Sequence, residues 1–291
     1  MKKLSVVLAT RNEEENIASV LASVSEIADE IVVVDEDSSD NTREIAKNKG
    51  ARVYKVKHEP IFHKTKQKAL DKASGEWILQ LDADERVTKK LANEIKRVIN
   101  MNDEDIKARR PKDRKKWELF QRHLQAFERK KGKMGKSTGE VVAFLLPRLN
   151  YFLGKPLRRA GVYPDPAVRL IKKGRAFFPA KSVHENMHIE GEVAWLFNDL
   201  KHYDSPTYSR YLMRLNRYTS LQAEELRRSE VPKNIIQIFN YSFIQPVLIF
   251  VNLYFRHAGF RDGLRGFVWS LSSAFHFPIA YYKYWGHENS R

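Results

Sequence analysis

Three apolar runs in the first hundred residues end in polar clusters whose side chains could do chemistry. They are Thr10-Arg11-Asn12-Glu13, Asp35-Glu36-Asp37-Ser38 and Asp82-Ala83-Asp84-Glu85. Carboxylates at strand ends are oxygen ligands suited to Mg²⁺ or Mn²⁺, cations that also bind diphosphates. In Asp82-Ala83-Asp84 the two carboxylates are two residues apart, so in extended backbone they face one side, and the small alanine leaves space between them. One could bind a metal while the other holds a ribose hydroxyl or orients its partner. Taken alone, the cluster could equally begin the next helix, with Asp84 or Glu85 near its N-terminus. No G-x-G-x-x-G follows the first apolar run and no G-x-x-x-x-G-K-[ST] occurs, which counts against a dinucleotide-binding oxidoreductase and a P-loop NTPase.

Such clusters need a scaffold that brings strand ends together. Leu4–Ala9, Glu30–Asp35, Ala51–Val56 and Trp77–Leu81 read as short strands, with helical segments at Glu14–Ser25, Thr42–Lys49, Lys64–Ala73 and Lys89–Ile99 between and after them. This alternation predicts βαβ units and a mainly parallel sheet flanked by helices, an α/β fold whose ligands bind outside the carboxyl ends of the strands. Runs such as "IVVVD" and "WILQLD" fit strands buried on both faces. The chain divides into a first half of the α/β domain (1–100), a basic insert that could be an exposed helical excursion with a mobile loop (101–140), a second half of the same domain (141–204) and a helical extension (205–291).

The formal net charge of +16 asks for an anionic partner: nucleic acid, phosphorylated substrate or acidic lipid. With no cysteine, disulfides and thiolate zinc sites are excluded. The apolar run at the amino terminus is too short for a signal peptide and is followed at once by "RNEEEN", so it reads as a first strand in a cytoplasmic chain. Ile235–Phe255 is long enough to span a bilayer but is interrupted by Gln237, Asn240, Gln245, Pro246 and Asn252. Arg256, Arg261 and Arg265 follow, then aromatic-rich Phe267 to Trp285. Aromatic and basic helices of this kind suit the membrane interface, with a buried core or an oligomer contact as the plainer reading.

The stretches "LSVVLATRNEEENIASVLASV", "DEIVVVDEDSSDNTREIAKNKGARV" and "KQKALDKASGEWILQLDADE" resemble the nucleotide-sugar-binding half of family 2 glycosyltransferases, which have the Rossmann-like GT-A fold. "NYFLGKPLRRAGVYPDPAVRLIKKG" and "VHENMHIEGEVAWLFNDLKHYDSPTYSRYLMRLNRY" resemble the branch containing lipopolysaccharide core β-1,4-glucosyltransferases. The resemblance implies that Thr10, Asn12 and Glu13 line the nucleotide pocket, that Asp35 approaches base or ribose, and that Glu36 stands where relatives often carry Asp or Ser. It implies Lys66 toward the diphosphate, Asp82 on the sugar nucleotide and Asp84 on a Mg²⁺ or Mn²⁺ ion. Glu185 and Asp165 are its candidates for general base, with Glu185 favoured through the pair His184-Glu185. Arg169 could touch phosphate or pair with an acid, and His202-Tyr203 could complete the acceptor side.

The expected activity is inverting, metal-dependent transfer of a hexose, with UDP as the implied carrier, to a lipid-linked or phosphorylated glycan at the inner face of the membrane. A polyprenyl-phosphate acceptor is the enzymatic rival. A non-catalytic nucleic-acid- or membrane-binding protein is the rival from another class, but the insert offers only Trp117, Phe120 and Phe127 as stacking platforms, which argues against nucleic acid.

Overall fold

A computed structural model of the chain describes residues 3–179 and 187–286. It begins with four strands, β1 (Leu4–Thr10), β2 (Glu30–Glu36), β3 (Arg52–Val56) and β4 (Trp77–Leu81). Between them lie helices α1 (Glu14–Val24), α2 (Thr42–Asn48) and α3 (Phe62–Lys72). Their order, β3-β2-β1-β4, is parallel throughout. The pairing Thr10↔Asp35 and Leu8↔Leu81 brings the ends of β1, β2 and β4 to one edge. Every residue of β1 and β4 is buried, because helices cover both faces of the sheet.

The remaining strands make the sheet mixed. After β5 (Glu85–Val87) and α4 (Lys89–Val98) come two helices, α5 (Asp103–Ala108) and α6 (Arg114–Lys131). Strand β6 (Val141–Phe152) then forms a hairpin with β7 (Lys155–Pro156), and β8 (Pro166–Lys172) inserts antiparallel between β4 and β6. A small ribbon joins β9 (Ala176–Phe177) to β10 (His188–Ile189), β11 (Glu192–Trp195) runs parallel to β6, and β12 (Leu200–Ser205) lies against β5. Thus the parallel order expected from the sequence holds for the first four strands, and antiparallel strands extend it.

The insert is helical and largely exposed, but it also docks on the core. Phe120 of α6 is fully buried and stacks on Trp195 at 4.4 Å, while Trp117 meets Phe197 edge-on. Arg109 pairs with buried Glu94, whose carboxylate also accepts the backbone N–H groups of Phe197 and Asn198. Arg114, Lys115, Arg122 and Arg129 of α6 are exposed, whereas Lys116 turns inward to the Phe197 carbonyl and Asp199.

The chain forms two compact units, residues 1–148 with 164–202, and residues 149–163 with 203–291. In the second unit α7 (Tyr208–Arg228) is followed by a helical run over Ile235–Arg256 and then by α10 (Leu264–Gly286). The run alternates α8 (Ile235–Phe239), a π-turn segment (Asn240–Ile244), α9 (Gln245–Val251) and a second π-turn segment (Asn252–Arg256). Pro246 lacks an N–H and would crowd a regular α turn; the wider turn just before it relieves that. Helix α10 folds back antiparallel on this run, with Tyr241 stacked on Tyr281 and Phe250 against Phe267. At the bend, a Cβ on Gly266 would lie 1.9 Å from the carbonyl oxygen of Gly259, so only glycine permits this closeness.

Truncating Phe120 to alanine should empty the space against Trp195 and destabilise the first unit by about 3–5 kcal/mol. Guanidinium unfolding followed by tryptophan fluorescence reads this directly. An unchanged midpoint would mean that α6 is not part of the core.

Candidate active site

The ends of β1 and β2 are laced together by side-chain to backbone bonds. The Asp35 carboxylate is fully buried; Oδ1 accepts Ser38 N–H at 3.0 Å and Arg43 Nη1 at 2.9 Å, and Oδ2 accepts the Thr10 and Ser38 hydroxyls. Asn12, in the left-handed region at φ 53°, accepts Ser39 N–H through Oδ1 and donates its own N–H to Ser38 Oγ. Glu13 donates its backbone N–H to Thr42 and accepts from Asn16. Asp35 therefore shapes the loop, and the exposed Arg11, Asn12 and Asp37 form its outer surface. Glu36, expected in the nucleotide pocket, is buried with its carboxylate taking bonds from Thr65 and His58. It ties β2 to α3.

The Asp82–Glu85 cluster is a tight turn between β4 and β5, closed by Glu85 N–H to the Asp82 carbonyl at 3.0 Å and by Asp82 N–H to the Glu85 carboxylate at 3.0 Å. The helix start considered for this cluster is displaced to Lys89, where Thr88 provides the cap. In this turn the two aspartates have different partners. Asp82 Oδ1 lies 2.6 Å from Lys66 Nζ and Oδ2 2.5 Å from Arg169 Nη2. Buried Arg169 also donates to Gln80 Oε1 at 2.7 Å and to the fully buried Glu85 at 2.8 Å. Burial works against charge on Asp82, but attraction from Arg169 and then Lys66 outweighs it and holds that carboxyl well below the usual carboxylate range. Burial likewise disfavours charge on Arg169, and Asp82 and Glu85 reverse this, so its guanidinium is held more firmly protonated.

Asp84 turns the other way, with His202 Nε2 3.5 Å from its Oδ2. The register that sets His202 opposite Glu85 across β12 and β5 delivers the imidazole there. Among the described residues no three His, Asp or Glu side chains converge as a metal cage. A carboxylate oxygen beside an imidazole nitrogen nevertheless fits a cation that takes its remaining ligands from a diphosphate and water. The nitrogen donor suits Mn²⁺ better than Mg²⁺, which prefers oxygen throughout. Asp82 does not fit as a ligand, since each of its oxygens already holds a protein cation.

Asp165, the alternative base candidate, sits in the left-handed region at φ 39° with its carboxylate 2.9 Å from Arg148 Nη2. Arg148 also approaches Glu85 at 3.8 Å. Glu185 and His184 lie outside the described residues. The sequence reading weighed Arg169 between phosphate and acid, and the structure pairs it with acids. It placed His202 on the acceptor side and overlooked Arg148, although an arginine inside the apolar run "VVAFLLPRLNYF" was a signal that a buried partner must exist.

This sheet, with its acid-ended parallel strands and flanking helices, has the GT-A architecture of glycosyltransferases. Residues 5–158 match the model of glycosyl transferase family 2, and the chain belongs to that family. It is 26% identical over 285 residues to an uncharacterized glycosyltransferase of Rickettsia typhi, spanning 94% of this chain and 84% of that one. It is 24% identical over 278 residues to the lipopolysaccharide core biosynthesis glycosyltransferase LpsC of Rhizobium meliloti, spanning 93% and 87%. Among solved structures, glucosyl-3-phosphoglycerate synthase from Mycobacterium tuberculosis is 33% identical over 29% of this chain and 34% of that one, with a TM-score of 0.27.

Replacing Arg169 with methionine leaves Asp82 and Glu85 short of a buried counter-charge and should cost about 3–5 kcal/mol. The depressed carboxyl of Asp82 contributes stability that is complete above an unfolded value near about 4. That contribution is lost as pH falls through the lower folded value. Arg169→Met has less of this stability to lose but starts from a lower total, so acid unfolding should begin at higher pH than in the wild type. Coincident acid transitions by circular dichroism would refute the network.

Proposed function

We propose that the chain is an inverting, metal-dependent glycosyltransferase that moves a hexose from a UDP-sugar to a lipid-linked glycan such as lipopolysaccharide core. The observation carrying this reading is the β4–β5 turn, where Asp84 faces His202 while Lys66 and Arg169 hold Asp82. Family membership supplies the reaction class, and likeness to LpsC along most of both chains supports the acceptor class.

In this reading Thr10, Asn12, Glu13 and Asp35 shape the nucleotide side, with Arg11 and Asn12 presented to the base and ribose. Asp82, fixed and charged, accepts a hydrogen bond from a hydroxyl of the sugar nucleotide through a remaining lone pair. Asp84 and His202 hold the cation, which when bound supplies positive charge to the departing diphosphate. The acceptor oxygen forms its bond to the anomeric carbon as the bond to the diphosphate breaks, and a carboxylate takes the acceptor's proton. Glu185, beside His184, is assigned that role, because Asp165 is already committed to Arg148.

The second unit supports a place at the inner membrane surface. Ile235–Arg256 has a mean hydropathy of 1.4, and no residue of its apolar window is fully buried. Both ends of the α-helical hairpin are tied to the same unit. The bend receives Ala160 N–H at the His257 carbonyl, and Arg158 and Arg159 N–H at Asp262. At the far end Tyr281 and Tyr284 bond the carbonyls of Pro232 and Val231, and Lys283 bonds Asn216 of α7. A hairpin held at both ends lies along its unit, so it fits a membrane plane and not a crossing. Exposed Arg256 and Arg261 flank the apolar surface, as anionic headgroups require.

Titration calorimetry with UDP, with and without Mn²⁺, tests the donor site. Binding should require the metal, and Asp84→Ala should abolish that requirement together with most of the affinity; metal-independent binding that survives the substitution would overturn the site. For the membrane, the full chain should sediment with vesicles containing phosphatidylglycerol. The double variant Phe243→Glu/Leu248→Glu should lose that partition by at least about tenfold. Equal sedimentation of the two proteins would remove the hairpin from the interface.

A further inference from the structure

The first unit contains a cavity of about 580 Å³ that shares Lys66, Asp82, Arg148 and Arg169 with the strand-end site. Thr10, Asn12, Asp35 and Asp84 are not among its lining. Among the described residues, Lys66, Lys133, Lys136, Arg148 and Arg169 line it against the one carboxylate of Asp82. Three of those cations are already engaged. Lys66 and Arg169 hold Asp82, and Arg148 holds Asp165. Lys133 and Lys136 have no carboxylate within ion-pair distance among the described residues. A concave surface with this excess of positive charge raises the local concentration of anions.

The two lysines are delivered by a built loop. Gly132 ends α6 with its N–H on the Glu128 carbonyl. Met134, between the lysines, packs against the core layer containing Ala143, Ile171 and Ile189, and its N–H points to the Glu128 carboxylate. Gly135 (φ 81°) approaches the strand-edge residue Gly191 so closely that a Cβ would lie 2.4 Å from its carbonyl oxygen, and Lys136 N–H donates to that same oxygen at 2.8 Å. The loop is thus pinned at Met134 and Lys136 N–H, leaving the two ammonium groups at the cavity wall. Opposite, Phe178 stacks on His63 and provides an apolar surface.

From this we infer that the cavity is the acceptor subsite and that Lys133 and Lys136 bind an anionic substituent, a phosphate or a carboxylate, on the acceptor sugar. The inference rests on the donor-site reading above, in which the diphosphate is held through the cation at Asp84. It gives the basic insert a function: α6 docks through Phe120 so that the loop behind it reaches the sugar-binding side of the sheet. The donor diphosphate is not the ligand of these lysines, since it must reach Asp84, which lies outside the cavity lining.

The experiment uses the full chain saturated with UDP and Mn²⁺ and titrated with glucose 6-phosphate, glucuronic acid and glucose. An anionic sugar should bind at least about tenfold more tightly than glucose, the gain expected of charge-assisted hydrogen bonds. The phosphate and carboxylate arms identify which oxyanion is preferred. Lys133→Ala/Lys136→Ala should reduce the anionic sugars to the level of glucose without changing UDP affinity, and Lys133→Arg/Lys136→Arg should retain the preference. Equal binding of all three sugars, a preference that survives the alanine pair, or displacement of UDP by the anionic sugars would overturn the proposal. Failure to bind UDP would fall on the donor-site reading instead. The same sugar titrations without nucleotide then read the lysine subsite by itself.

Discussion

The site depends on one buried guanidinium. Arg169 sits on β8, the strand that enters the sheet antiparallel beside β4, and reaches Gln80, Asp82 and Glu85 together. A buried arginine without partners would be prohibitively costly, as would three adjacent acids in a turn without counter-charge. Each requirement is met by the other. The antiparallel half of the sheet is therefore tied to the parallel half by charge as well as by backbone pairing, and the geometry of the acidic turn is set from outside its own sequence.

This arrangement changes the reason for the acidic strand end. Metal neutralisation accounts for clustered carboxylates in many sites, yet here Lys66, Arg169 and Arg148 balance Asp82, Glu85 and Asp165 within the protein. Asp84 lies outside that set and is directed toward His202. The Asp-x-Asp spacing thus encodes a division of roles produced by the turn. In an extended strand both carboxylates would share a side; the tight reversal at Ala83-Asp84 separates them.

Periodicity made the first half legible. β1, β2 and β4 are continuous apolar runs, and their polar ends mark where the chain leaves the sheet, so strands and intervening helices could be placed to within a residue or two. The antiparallel half was less legible because pairing partners far apart in sequence leave no local signal. His202 meets Asp84 only through the β12–β5 register, and Arg148 finds Asp165 only after a loop returns. Composition misled for 101–140, where abundant Lys and Arg hid the single buried ring of Phe120. Local pattern reports a residue's element; it does not report which distant charge that element will bring to it.

The helical hairpin shows a further use of pattern. On α10 the exposed apolar residues Leu264, Phe267, Leu271, Phe275 and Tyr282 keep ordinary α-helical spacing. On the antiparallel run, Ile235, Phe239, Phe243, Val247, Val251 and Phe255 are exposed at intervals of four. In an uninterrupted α-helix each step of four overshoots a turn by about 40°, and the row would wind through about 200° from first to last. The two π-turn segments take up this excess, because their i→i+5 turns hold more residues. They keep the row on one side while Tyr241, Leu253 and His257 stay directed at the rest of the unit. A helix that serves only a buried core has no need to align its outer face. The departure from α geometry is thus best understood through the surface it straightens.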